Sequence, residues 1–240
     1  MKAKIWYLYH SGFAVETTSH FLIFDYWKQT PKNAGLDSGV IDPKAIADKD
    51  TIVFVSHNHG DHYNRNIKNW SSIMPKLRYI LSSDIPKIPG AIMVGPGETV
   101  SQHDFHLQTL ESNDEGVAFV VDIDGITIYH AGDLNWWHWE GEPDDYNEGM
   151  AKTYKSQIAL MKDKRIDIAF VPVDPRLEEQ YAWGINHLMQ TVDVRYAVPM
   201  HYGSDTSVVD RLLSDKDSMS YRDKVLKLTE RGASVEISGD

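Results

Sequence analysis

Cysteine is absent from the 240-residue chain, which excludes disulfides and thiolate metal ligands. Long apolar runs are absent too: no stretch approaches the roughly 20 residues that cross a bilayer. The opening "MKAKIWYLYHSGF" carries two lysines and then an apolar run that His10 ends after five residues. That is short of the roughly 7–15 of a secretory core, and no small-residue cleavage site follows. The expectation is a cytoplasmic protein with no membrane partner. Positive charge is scarce: 24 Lys and Arg stand against 35 Asp and Glu, a formal charge of −11. No basic cluster that would track a phosphate backbone appears, so nucleic acid is not an expected partner. A small anionic substrate stays open, because a bound divalent cation makes its surroundings positive. Repeats, low-complexity tracts and Ser/Gly linkers are missing, and the expectation is a single domain over 1–240. Nothing in the sequence sets an oligomeric state.

What is present is ordinary for a globular chain: 42 % hydrophobic residues, enough for a normal core. "KIWYLYHSGFAVETTSHFLIFDYW" reads as strands with a turn near "TTSH". "TIVFVSH" and "LRYILSS" are short branched and aromatic runs, hence strands. "GETVSQHDFHLQTLES", "GVAFVVDIDG" and "ITIYHAGD" continue as a meander, with "DIDG" as a hairpin turn. "DPKAIADKD" predicts a short helix from Asp42 with Pro43 at its first position. "NRNIKNWSSIMPK" is a weaker helical pattern. "DDYNEGMAKTYKSQIALMKDK" spaces Met150, Tyr154, Ile158 and Met161 by four, four and three, an amphipathic helix. "GINHLMQTVDVR", "TSVVDRLLSDK" and "YRDKVLKLTE" predict helices. "IDIAFVPVD", "YAVPMHY" and "ASVEISG" predict strands. Strands and helices alternate along the whole chain, which points to a layered α/β architecture of two sheets with helices outside.

The chemistry concentrates in "SHNHGDH", residues 56–62. His57, His59 and His62 offer neutral imidazole nitrogen and Asp61 an oxygen, directly after the strand "TIVFV". Gly60 is expected to let the backbone turn tightly there. His57 and His59 point the same way if strand geometry persists, while Asp61 and His62 follow the turn. One ion cannot take all four at such short range, so two adjacent metals are the economical reading. The plain alternative is a polar turn with solvated histidines. A bridging carboxylate and a distant histidine are then expected. "YHAGDLN" offers Asp133 after a strand, with an Asx turn as its rival explanation. "VPMHY" offers His201 after another, with a satisfied core histidine as its rival.

These residues resemble the metallo-β-lactamase superfamily. "SHNHGDH" matches its His-x-His-x-Asp-His signature, and "HAGD" followed by "PMHY" matches the order of its later elements. "YHAGDLNWW" and "VPVDPR" look most like its branch of small bacterial metal-dependent hydrolases, with a lactonase-like layout. The resemblance implies a four-layer αββα sandwich. It implies His57 and His59 on one metal, Asp61, His62 and His201 on the other, and Asp133 bridging. The family usually adds a third histidine to the first metal, and the matching segment "LQTLESNDEG" has none. Glu111, or its neighbours Ser112 and Asn113, aligns with the missing ligand. His103 or His106 from "SQHDFH" is a further candidate, against a plain surface hairpin. A weakened first site allows one metal or two: zinc first, with manganese or iron as harder options.

Around these lie His130, three residues before Asp133, as an orienting group, and His10 in "YHSGF", lining the cleft or bonded in the core. Trp136, Trp137 and Trp139 form either an aromatic wall or a packing loop. Arg176 is either a clamp for an anionic group or one half of an ion pair. His187 lies on a predicted helix, where most histidines are structural. The implied reaction is hydrolysis of a small-molecule ester, lactone or similar substrate by a metal-bound hydroxide, with Asp61 both ligating and holding the nucleophile. Two other readings stand beside it: a phosphodiesterase or nuclease of the same fold, and a metal-binding protein with little catalysis.

Overall fold

The computed structural model describes residues 2–239. The chain divides into two compact units, Met1–Gly95 with Leu228–Asp240, and Pro96–Lys227. No helix among the described residues is long and apolar enough to cross a membrane.

The first unit is built on β1 (Lys2–Tyr9), β2 (Gly12–Glu16), β3 (His20–Phe24), β4 (Asp50–Val55), β5 (Leu77–Ser82), β6 (Ile92–Val94) and, from the chain's end, β13 (Ser234–Ser238). They form one seven-stranded sheet in the order β13-β1-β2-β3-β4-β5-β6. The pairs from β13 to β3 are antiparallel and those from β3 to β6 parallel. Alternate residues of its strands, Trp6, Leu8, Ala14, Phe21, Ile23, Val53, Val55, Tyr79 and Leu81, enter one apolar cluster with Ile67, Trp70 and Met74. Period-2 alternation is what puts them on one face.

Residues 27–41 carry little regular structure, yet they are held. The Arg231 guanidinium donates to the carbonyls of Leu8, Lys28, Thr30 and Gly39, so one planar fork ties four backbone points. The expected helix from Asp42 does not form. Asp42 Oδ1 accepts from Lys44 N–H as a cap would, but only successive turns follow. A segment this short gains too few bonds to offset nucleation. "NRNIKNWSS" forms a 3-10 helix, Arg65–Ser72, rather than an α-helix.

The second unit holds β7 (Thr99–Ser101), β8 (Phe105–Glu111), β9 (Val117–Ile123), β10 (Ile126–His130), β11 (Arg165–Pro172) and β12 (Asp193–Met200). Their order is β12-β11-β10-β9-β8-β7, antiparallel from β7 to β10 and parallel from β10 to β12. The "DIDG" hairpin forms as expected, with Asp124 and Gly125 both at positive φ, as a primed turn requires. Three α-helices accompany the sheet: α1 (Asp144–Ala159), α2 (Trp183–Thr191) and α3 (Ser207–Ser214). On α1, Tyr154 and Ile158 are buried, and the Tyr154 hydroxyl donates to Gly184 O on α2 at 2.7 Å.

Two helical expectations are corrected here. "DVR", residues 193–195, belongs to β12 rather than to the helix, because the segment gains a parallel ladder beside β11. "YRDKVLKLTE" yields only a short 3-10 turn, Arg222–Lys224, after which Val225 bridges to Ala197.

Candidate functional site

In the first unit, β3 and β4 run parallel with Phe24 opposite Phe54. The residues that leave the sheet at that end are Asp25 and Ser56. Asp25 N–H donates to Phe54 O at 3.0 Å. Its φ is +43°, in the left-handed region that aspartate tolerates better than most residues. Asp25 Oδ1 then accepts from Ser56 N–H at 2.8 Å, and Oδ2 accepts from the Ser56 hydroxyl at 2.7 Å and from His62 Nδ1 at 2.8 Å. The serine proton is spent on Asp25, so Ser56 Oγ accepts from His57 Nδ1 at 2.9 Å. His57 and His62 thus both carry their proton on Nδ1 and present Nε2 as the lone-pair nitrogen. Asp25, Ser56, His57 and His62 are all buried.

The rest of "SHNHGDH" gathers round them. The His57 ring lies 4.6 Å from His59 and 4.1 Å from His62 between centroids. His62 and Tyr63 N–H both donate to His59 O, which closes the turn. Gly60 is not needed for its conformation: it is absent from the positive-φ glycines, and a Cβ there meets open space. The expected role of Gly60 is therefore taken by the bonds to His59 O. Asp61 is half-exposed, with Oδ2 3.5 Å from His10 Nε2. His10, at φ +58°, stands edge-on to His62 at 5.6 Å. So the first unit brings together His10, His57, His59, Asp61 and His62.

In the second unit, β10, β11 and β12 run parallel, with His130 opposite Phe170 and Pro172 opposite Met200. Asp133, Asp174 and His201 follow these strand ends. His201 Nδ1 is 3.0 Å from Asp174 Oδ2, and its Nε2 is 3.3 Å from Asp133 Oδ1. All three are buried, and His201 sits at φ +67°. Burial pushes the His201 imidazolium down, but Asp133 and then Asp174 outweigh it and raise its pKa to about 10. Burial likewise raises Asp174, and hydrogen bonds from His201 and Arg176 overcome it, holding the carboxyl at about 2.

A raised His201 stabilises the fold below pH 6.5 and loses that contribution as pH climbs toward about 10. A lowered Asp174 contributes above pH 3.8 and fails as pH falls toward about 2. Metal-free protein is therefore expected to melt at its highest temperature between these limits. Calorimetry in chelator from pH 4 to pH 10 checks it, and a melting temperature that rises steadily across that range contradicts it.

The remaining sequence candidates find definite places. Arg176 N–H and Nε donate to Asp174 Oδ1 at 2.9 Å, and its second guanidinium nitrogen reaches Asp174 Oδ2, so the ion-pair alternative describes it. His130 Nδ1 accepts from Gly132 N–H at 3.2 Å and pins the turn ahead of Asp133. The tryptophans separate. Trp137 donates Nε1–H to Asp133 O at 2.8 Å and packs against His201, bracing the aspartate's backbone. Trp139 stacks on Trp137 beneath Arg176. Trp136 turns instead toward Trp183 and His187. Asn113 is spent on holding that loop to α1, donating to Asn135 O and to Met150 O. Ser112 accepts from Asp114 N–H.

Glu111 is exposed at the end of β8. Neither it nor Asp61, His130 or His187 belongs to a group of His, Asp or Glu donors close enough to share an ion, among the described residues. His103 and His106 are exposed on the β7–β8 hairpin, with His106 bonded to Ser101.

A divalent ion fits this chemistry. The Nδ1 atoms of His57, His62 and His201 are each fixed by an oxygen, as metal-ligating histidines require, and carboxylates stand beside them. Asp25, Ser56 and Asp174 escaped the sequence reading. For the two aspartates the signal was there: "FLIFD" and "FVPVD" each end an apolar run on an aspartate.

A family model described as a beta-lactamase superfamily domain matches residues 4–140. A UPF0173 metal-dependent hydrolase of Thermococcus kodakarensis is 25 % identical over 238 residues, covering 89 % of this chain and 93 % of its own. Among solved structures, Igni18, a metallo hydrolase from the archaeon Ignicoccus hospitalis, matches over 100 % of both chains with a TM-score of 0.69 at 17 % identity. YhfI of Bacillus subtilis, a metallo-beta-lactamase fold protein, matches 98 % of this chain and 99 % of its own with a TM-score of 0.59 at 12 % identity. The fold is therefore the α/β metallo-β-lactamase type that the sequence led us to expect.

Proposed function

The chain belongs to the metallo-β-lactamase superfamily, and from that premise we propose that it is a single-domain, metal-dependent hydrolase of small-molecule esters or lactones. The observation that carries the proposal is the pair of carboxylate–histidine relays, Asp25 with Ser56, His57 and His62, and Asp174 with His201. The ligands we propose are His57, His59, Asp61, His62, Asp133 and His201, for one or two divalent ions. Zinc suits a set this rich in imidazole, with manganese or iron as alternatives. When bound, the metal supplies a Lewis acid that lowers the pKa of water toward about 7.

The chain's own residues do the rest. Asp25 fixes the Nδ1 protons of His57 and His62, through Ser56 in the first case. Asp174 does the same for His201. We assign Asp61, whose half-exposed carboxylate has Oδ2 3.5 Å from His10 Nε2, to take a proton from water. Trp137 holds the Asp133 backbone and packs edge-on against the buried His201. A small substrate agrees with the −11 charge, which opposes a polyanion.

The test is a panel of lactones, aryl esters and phosphodiesters offered to zinc-, manganese- and iron-loaded protein. Ester or lactone turnover is expected, lost on chelation, and reduced about 100-fold or more in Asp61→Ala. Phosphodiester turnover alone would replace the proposed substrate class. Full metal occupancy with no turnover would make the protein a metal binder.

A further inference from the structure

The second unit carries a cavity of about 380 Å³, lined by Trp136, Trp183, Asn186, His187, Gln190 and Asp217. That lies within the roughly 300–1,000 Å³ of small-molecule pockets. Four of these residues, 183, 186, 187 and 190, form one stripe of α2 at helical spacing. Trp136 comes from the segment three residues past Asp133.

The walls are aromatic and mutually steep. The Trp136 and Trp183 rings are 5.2 Å apart at 65°, and Trp136 and His187 are 6.0 Å apart at 88°. Such a corner offers a flat ring one face and one edge at once, the geometry aromatic pairs prefer. Trp183 is 36 % exposed, a large apolar side chain left at the surface.

The electrostatics narrow the choice. Lys155 Nζ lies 3.7 Å from the Trp136 ring centroid, so the cation position on that ring is already filled. Burial and then Lys155 hold the His187 pKa below its ordinary value, which keeps the imidazole neutral. A second cation is therefore opposed. At the rim, Asp217 and the amide of Gln190 can accept a hydrogen bond. The Asn186 carbonyl is already used by the Tyr221 hydroxyl, which leaves its NH₂ as a donor.

We propose that this corner binds a neutral aromatic ring bearing a polar N–H or O–H. Metal-free full-length protein is titrated with indole, with cyclohexanol as the saturated control and with tetramethylammonium as the cationic one. The readout is the indole N–H NMR signals of Trp136 and Trp183, assigned by their loss in Trp136→Phe and Trp183→Phe. The expected result is a saturable shift of both signals with indole, and binding at least tenfold weaker with either control.

Trp183→Ala is expected to weaken indole binding at least tenfold, and Trp183→Phe to retain most of it. Cyclohexanol binding as well as indole would reduce the cavity to a greasy depression and overturn the proposal. Tetramethylammonium binding best, or no saturable shift, would overturn it too. Because no turnover is measured, a failure here leaves the hydrolase reading standing. Failure of the substrate panel likewise leaves an indole result intact.

Discussion

Asp25→Ala is expected to strip metal from the protein and to destabilise it together. Its carboxylate accepts from Ser56 N–H, the Ser56 hydroxyl and His62 Nδ1, all within 2.8 Å and all buried. Removing it leaves three buried donors without their acceptor, at roughly 1–3 kcal/mol each. The Ser56 hydroxyl becomes free to donate to His57, which releases the tautomer that presents Nε2. Loss of an orienting group of this kind typically lowers metal affinity 10–100-fold.

Asp25→Asn separates the two effects. The amide keeps one acceptor for Ser56 N–H, so folding survives better. If its NH₂ faces His62 Nδ1, that nitrogen must give up its proton and Nε2 must carry it, and a protonated Nε2 cannot ligate. Metal content by emission spectroscopy and denaturation midpoints together check this. Wild-type metal affinity in both variants would show that Asp25 does not position the histidines.

Gly232→Ala is expected to cost the most stability of any glycine-to-alanine change in the first unit. Gly232 sits at φ +82°, and its N–H donates to Tyr7 O at 2.8 Å. A Cβ would lie 2.1 Å from Asp37 O and 2.3 Å from Asp37 C. Those are backbone atoms, next to the Gly39 carbonyl that Arg231 ties down, so neither side can yield cheaply. Backbone strain and overpacking each cost about 1–3 kcal/mol, and here they act together. The natural control is Gly149 within α1, where a Cβ meets nothing. Gly149→Ala is expected to stabilise by roughly 0.5–1 kcal/mol, through lower chain entropy in the unfolded state. Urea denaturation of the two variants decides it, and equal midpoints would contradict the packing argument.

Local pattern made much of the fold legible. Apolar runs such as "TIVFV" and "FLIF" are strands because branched and aromatic residues pack well on a pleated surface. On α1 the spacing buries Tyr154 and Ile158 and brings Tyr154 onto α2, but the helix ends at Ala159, so Met161 lies beyond it. Pattern failed where an element was short or had a better partner. "DVR" continues a helical-looking segment but gains more from β11, and "DPKAIADKD" is too brief to keep a helix.

The sequence by itself determined which donors this protein has: three histidines and an aspartate within one turn, and Asp133 and His201 each just past an apolar strand. It also determined their chemistry, because residue type and spacing are local properties. Only the tertiary structure decided which atom of each histidine is presented. That depends on Asp25 meeting Ser56 across 31 residues of chain, and Asp174 meeting His201 across 27. Those meetings follow from the parallel registers Phe24–Phe54 and Pro172–Met200. The same packing paired Arg176 with Asp174, and it sent Trp136 to one wall and Trp137 to another. Strand order and register are set by the sum of side-chain packing over a whole sheet, which no short window of sequence contains.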